Sequence, residues 1–152
     1  MDLILWRHAE AETVGSGISD ADRHLSAKGK KQAKYMTDWL LNQRMRKMSV
    51  LVSPTKRTVQ TAEALGWPYK VSRKLGPDAG TADLLSAANW PDESGTVMLI
   101  AHMPGLGRLA ALLLSGSEAD WTIKKAGIWW FSNRVRQGET QTILRAVANP
   151  ES

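Results

Sequence analysis

Apolar positions along the chain come in two rhythms. Leu3-Ile4-Leu5-Trp6 and Thr96-Val97-Met98-Leu99-Ile100-Ala101 are short runs without a polar face, the pattern of strands buried on both sides in a parallel sheet. Met48-Ser49-Val50-Leu51-Val52 is a further strand, ended by Ser53-Pro54, and Pro68 to Ser72 a weaker one. Between them the period changes to helical. Ser26 is placed to cap a helix reaching about Met45, with Ala33, Met36 and Leu40 on one face. A second helix spans Thr55 to Leu65 and stops at Gly66, and a short third runs from about Thr81 to Trp90. A fourth carries Leu106, Leu109, Ala110, Leu113 and Leu114 at i, i+3, i+4, i+7 and i+8 and ends at Ser115-Gly116. Two late strands, Ile128 to Ser132 and Thr142 to Val147, read as a hairpin turning near Gln137-Gly138. Alternation of apolar strands with amphipathic helices predicts an α/β three-layer sandwich, a mostly parallel central sheet with helices on both faces.

Length and composition narrow the class. A chain of 152 residues favours one domain, 1–152, and 43% hydrophobic residues are enough for a core without staples. There is no cysteine, which excludes disulfides, zinc ribbons and a thiol nucleophile, and with it a cysteine-based phosphatase. The apolar N-terminal run lacks a preceding basic region, and the longest apolar stretch, Leu109 to Leu114, falls far below the roughly 18–20 residues of a membrane span. The expectation is a soluble, cytoplasmic protein that does not engage a membrane. A net charge of +5 first suggests nucleic acid or an acidic partner. Much of that excess lies on Lys28, Lys30, Lys31 and Lys34 of the first helix, most simply a solvated face. The seven tryptophans would make a base-stacking surface only if exposed among basic residues, and Trp39, Trp90, Trp129 and Trp130 fall at core or half-buried positions.

Chemistry concentrates where strands end. The first strand ends in Arg7-His8, the second in Ser53-Pro54 with Arg57 a turn later, and the strand at 96–101 in His102. Ligands of open α/β sheets bind beyond the carboxyl ends of the strands, so these groups can converge on one pocket. Two arginines and two histidines without an acidic cluster suit an anion with several oxygens, because the guanidinium fork donates bidentately to phosphate.

Four segments carry a family pattern in order and spacing: Arg7-His8, Leu25 to Ala33, Ser53 to Ala62, and Ala101-His102-Met103-Pro104. Together they resemble the histidine phosphatase superfamily. The short chain, Arg7-His8-Ala9-Glu10-Ala11 and Arg23-His24-Leu25-Ser26 are similar to its SixA branch of phosphohistidine phosphatases. The resemblance implies that His8 attacks phosphorus to give a covalent phosphohistidine that water hydrolyses, without metal or cofactor. It implies that Arg7, Arg57 and His102 hold the phosphoryl oxygens. Arg23 matches the Arg-x-Leu pattern of the branch as a candidate pocket residue, Ser53 is a candidate phosphate donor or turn former, and His24 is a loop histidine.

Three departures stand out. Ala9 and Ala101 replace glycines usual in the family, which matters only if those positions need positive φ. No glutamate stands out as a general acid, and Glu10 and Asp78 are weak candidates. A phosphohistidine substrate needs such an acid less, since imidazole, with an unperturbed pKa of about 6.5, can leave already protonated. The expected partner is therefore a phosphohistidine-bearing protein. The alternatives are a phosphomonoesterase for small molecules using the same pocket, and a non-catalytic phosphate or nucleic-acid binding module.

Overall fold

The computed structural model describes residues 1–15, 17–45 and 48–150. Six strands form one sheet: β1 (Asp2–Arg7), β2 (Met48–Val52), β3 (Lys70–Val71), β4 (Thr96–Ala101), β5 (Ile128–Arg136) and β6 (Glu139–Ala148), in the order β3-β2-β4-β1-β5-β6. β3, β2, β4 and β1 are parallel, and β5 and β6 add antiparallel strands at the β1 side. Four α-helices accompany them: α1 (Ala27–Leu41), α2 (Lys56–Leu65), α3 (Thr81–Ala88) and α4 (Gly105–Ser115).

The period of two along each strand sorts the core into two halves. Ile4, Trp6, Met98 and Ile100 pack against Ala33, Met36 and Leu40 of α1 and Ala62 and Leu65 of α2. Their neighbours Leu3, Leu5, Val97 and Leu99 pack against Leu84 and Ala88 of α3 and Leu106, Leu109 and Ala110 of α4. The three-layer sandwich expected from the sequence is the structure observed. β1 and β4 contribute to both halves, and β4 is buried at every position.

Boundaries differ from the sequence expectation where local hydrogen bonding overrides the apolar pattern. Ser26 does cap α1, its Oγ accepting from Gly29 N at 3.0 Å. The helix then ends at Leu41 rather than Met45. Gln43 Nε2 donates to the Trp39 carbonyl at 3.1 Å, satisfying a terminal acceptor, and Met45 reaches the core from the chain beyond. α3 stops at Ala88, not Trp90, because Asn89 turns left-handed at φ 52°. β3 has two residues instead of five, since Trp67 and Tyr69 pack on the core. β5 and β6 extend past Ser132 and Thr142 as an exposed ribbon whose polar faces hid its pairing. Gln137 (φ 52°) and Gly138 (φ 79°) form its two-residue turn.

Every tryptophan is at least half-buried, so the tryptophans do not form an exposed stacking surface. Lys28, Lys30, Lys31 and Lys34 are exposed on α1. Among the described residues no helix is long and apolar enough to cross a membrane.

Candidate active site

Strand register brings the reactive residues together. Arg7 pairs with Ala101, His8 N donates to the Ala101 carbonyl at 3.2 Å, and Ser53 N donates to the Ile100 carbonyl at 3.0 Å. His8 and His102 consequently lie side by side at the ends of adjacent parallel strands, with ring centroids 5.2 Å apart. Arg57 enters from the first turn of α2, only 3% exposed. A cavity of about 320 Å³ has Arg7, His8, Arg57 and His102 in its lining, with Arg23, Lys125, Ala11, Pro77 and Met103.

The backbone fixes the histidine tautomers. His8 Nδ1 lies 2.7 Å from the Ala9 carbonyl, an acceptor only, so Nδ1 carries the proton and Nε2 keeps its lone pair. His102 Nδ1 lies 3.4 Å from Arg57 Nη2, a donor only, which places the ring proton on Nε2, donating to Ser53 Oγ at 2.7 Å. Burial, with smaller contributions from Arg57, Arg7 and Arg23 and against the Ala9 hydrogen bond, pushes the His8 pKa down to about 4. Burial and the neighbouring His8 and Arg57 push His102 down to about 3, Asp20 opposing in part. Both rings are neutral near pH 7.

The arginines are oriented with donors to spare. Arg7 Nη1 donates to the Ile123 carbonyl at 2.8 Å. Arg57 Nη1 and Nη2 donate to the backbone oxygen and Oδ2 of Asp20 at 2.8 and 3.1 Å. The Nε atoms of both arginines are buried and unbonded. Two guanidinium groups lining one cavity offer N–H donors to a ligand that brings acceptors. An oxyanion supplies them.

Other candidates sit elsewhere. Ser53 is wholly buried and bonded to His102, outside the cavity lining. Glu10 also lies outside it, with Oε2 accepting from Ser26 Oγ at 2.8 Å, and Asp78 borders a separate cavity with Arg73 and Asp83. His24 is exposed beside Gln60. Arg23 does line the cavity, its Nε donating to Asp20 Oδ1 at 3.0 Å. Asp20 was not singled out in the sequence, which also left open whether the late segment Trp121 to Gly127, with Lys125, borders the pocket. Asp20 lies in a short 3-10 turn three residues before Arg23, and Lys125 arrives from a loop more than a hundred residues after His8. Only their basic or acidic character was visible. Ala9 and Ala101 have ordinary backbone: neither is left-handed, Ala101 ends a strand, and Ala9 N donates to Thr61 Oγ1 at 3.2 Å. The glycine departures leave the pocket undistorted.

A larger cavity of about 430 Å³ lies at the opposite strand ends, beside Asp2 and Thr96. The Asp2 carboxylate there is already bonded to Trp130, Ser132 and Arg145.

Residues 3–77 match the family model described as histidine phosphatase superfamily (branch 1). A solved structure of the protein histidine phosphatase SixA complexed with tungstate is 27% identical, with a TM-score of 0.79 over 99% of this chain and 97% of that one. The chain belongs to the histidine phosphatase superfamily. Within it, sequence and architecture together are of the SixA type. A mycobacterial glucosyl-3-phosphoglycerate phosphatase shares the fold, with a TM-score of 0.71 at 19% identity over 99% of both chains. Among curated proteins, 6-phosphofructo-2-kinase/fructose-2,6-bisphosphatase 1 of Mus musculus is 39% identical over 82 residues, 53% of this chain. The matched part spans only 17% of that relative's length.

Proposed function

We propose that the chain is a phosphatase that cleaves the P–N bond of phosphohistidine on a protein, with His8 as nucleophile. His8 Nε2 attacks phosphorus in line as the bond to the substrate imidazole breaks, and that ring, protonated on its other nitrogen, leaves neutral. Water then attacks the phosphoryl group on His8, releasing phosphate and restoring the ring. Arg7 and Arg57, which line the cavity, donate from their guanidinium groups to the equatorial oxygens, where charge stabilisation supplies most of the catalysis. His102 gains a proton when the anion arrives, because adjacent negative charge favours imidazolium. Ser53 holds its ring in place.

The observation that carries the P–N assignment is that no carboxyl group lines the cavity among the described residues. An alcohol leaving group would need an acid there, and imidazole does not. Asp20, bonded to Arg57, is unfit to supply a proton. Partial desolvation pushes its carboxyl up, but Arg57 and Arg23 outweigh this and hold it below the usual carboxylate range.

A second reading, hydrolysis of small phosphate esters, is favoured by the sequence likeness to the fructose-2,6-bisphosphatase-containing relative. The two separate on incubation of wild type and His8→Ala with a phosphohistidine protein and with p-nitrophenyl phosphate, in the presence of a chelator. Faster release from the protein, lost in His8→Ala, is the expected result. Comparable turnover of the ester shifts the assignment to the second reading, and release from neither overturns both.

A further inference from the structure

We propose that Arg23 and Lys125 form a second anion subsite beside the phosphoryl site, reading a negative group that the substrate carries next to its phosphoryl group. The inference rests on the phosphatase reading, since it assigns the inner residues to phosphate.

The charge balance of the cavity points to it. Four cationic side chains line the cavity, Arg7, Arg23, Arg57 and Lys125, and no carboxylate does among the described residues. The phosphoryl group is assigned to Arg7 and Arg57, which line the cavity with the paired rings of His8 and His102. Arg23 and Lys125 remain, and both are more exposed, at 24% and 51% of their side chains against 4% for Arg57. A second anion would therefore lie outward of the first.

Both cations are held in place. Lys125 sits in a loop tied to β1 on either side of it: the Ile123 carbonyl takes Arg7 Nη1, Ala126 N donates to the His8 carbonyl at 3.0 Å, and the Ala126 carbonyl takes Trp6 Nε1 at 3.0 Å. Ala126 accepts a left-handed φ of 59° to make these bonds, and a Cβ on Gly127 would press on the Lys124 carbonyl. The loop that fixes the nucleophile's strand thus also delivers the ammonium. Arg23 is fixed by Asp20 and by the Glu12 carbonyl, 3.2 Å from its Nη1.

The ion pair of Lys125 is long: Glu10 Oε1 stands 4.0 Å from Nζ, and the other oxygen of that carboxylate accepts from Ser26 Oγ. The remaining lining, Ala11, Pro77 and Met103, is apolar and suits the body of a leaving group lying between the two anionic positions. The shared chemistry is a second anion close to the phosphoryl group: an acidic side chain beside a phosphohistidine, or a second phosphoryl on a small ester.

The test uses the full chain and two substrate pairs, a phosphohistidine peptide flanked by Glu or by Gln, and a sugar bisphosphate against its monophosphate. In the pair that carries the physiological chemistry, wild type should favour the extra charge about three- to fivefold in kcat/KM, less as salt rises. Lys125→Gln and Arg23→Gln should bring that ratio to one, Lys125→Glu should invert it, and Lys34→Gln on the exposed face of α1 should leave it as in wild type. A Lys125-dependent preference in the peptide pair assigns the second anion to a protein, and one in the sugar pair assigns it to a small ester. Preference in neither pair, or preference unchanged in folded Lys125→Glu, overturns the subsite. Absence of all hydrolysis by wild type overturns the phosphatase reading instead.

Discussion

Asp20 holds Arg57 by two atoms at once, its backbone oxygen on Nη1 at 2.8 Å and its carboxylate on Nη2 at 3.1 Å. The same carboxylate takes Arg23 Nε. One residue from a short turn thus sets the direction of a buried guanidinium that lines the cavity. It also places a negative charge close to where the phosphoryl group arrives. Asp20→Asn should pull the two kinetic constants apart: kcat falls about tenfold as Arg57 loses its aim, while KM drops because repulsion is relieved. Steady-state kinetics check this, and a rise in KM at unchanged kcat would contradict it.

Arg7 and Arg57 both line the cavity beside His8 and His102. Removing either should cost about 2.7–4 kcal/mol of transition-state stabilisation, at least a hundredfold in kcat. Arg57→Lys should rescue little, because an ammonium cannot meet Asp20 and the phosphoryl group in the same fork geometry. Single-turnover rates with a phosphohistidine protein decide both.

Tungstate or phosphate should stabilise the folded chain, because an oxyanion held by the arginines that line the cavity binds the native state alone. A concentration-dependent rise in Tm is expected, about 2.7 kcal/mol of stabilisation at a hundred times the Kd. Arg7→Ala should largely abolish the rise.

Acid should weaken the fold through its two buried histidines. Their folded pKa values, about 4 for His8 and about 3 for His102, lie below the unfolded value near 6.5. The unfolded chain therefore takes up protons first, and the contribution of these rings, full above pH 6.5, is lost as pH falls from 6.5 toward 3. Relative to wild type, His102→Gln should gain about 2 kcal/mol between pH 7.5 and pH 4.5. Urea unfolding at the two pH values measures it, and parallel losses in both proteins would refute it.

Gly29 lies where α1 presses on the chain leaving β1, and a Cβ there would collide with the Glu10 carbonyl. Gly29→Ala should destabilise by about 1–3 kcal/mol, or roughly 2–12 °C in Tm for a chain of this size. Gly66→Ala makes a useful contrast: it has open space around it but a φ of 75°, so its cost is backbone strain alone.

The sheet and its helices were legible because Leu3 to Trp6 and Thr96 to Ala101 have no polar face and α4 repeats with a strict helical period. Strand ends then named Arg7, His8, Arg57 and His102. What stayed hidden depends on contacts made over distance. Asp20 and Lys125 belong to irregular segments with no periodicity to read, and they matter only because Arg57 and the carbonyl of His8 lie beside them or their loop. Ser53 was visible as a residue but not in its role. Whether a strand-end serine faces a ligand or a histidine is set by the neighbouring strand, here β4.

β4 lies between β1 and β2 in space but follows both in sequence. Residues 3–77, the stretch that the family model matches, end before it. A fragment of that length leaves β1 and β2 without the strand that joins them, and lacks His102. The pocket can therefore be completed only after β4 has been made. During synthesis, a nascent chain presents the nucleophile and Arg57 long before it can hold them in one place.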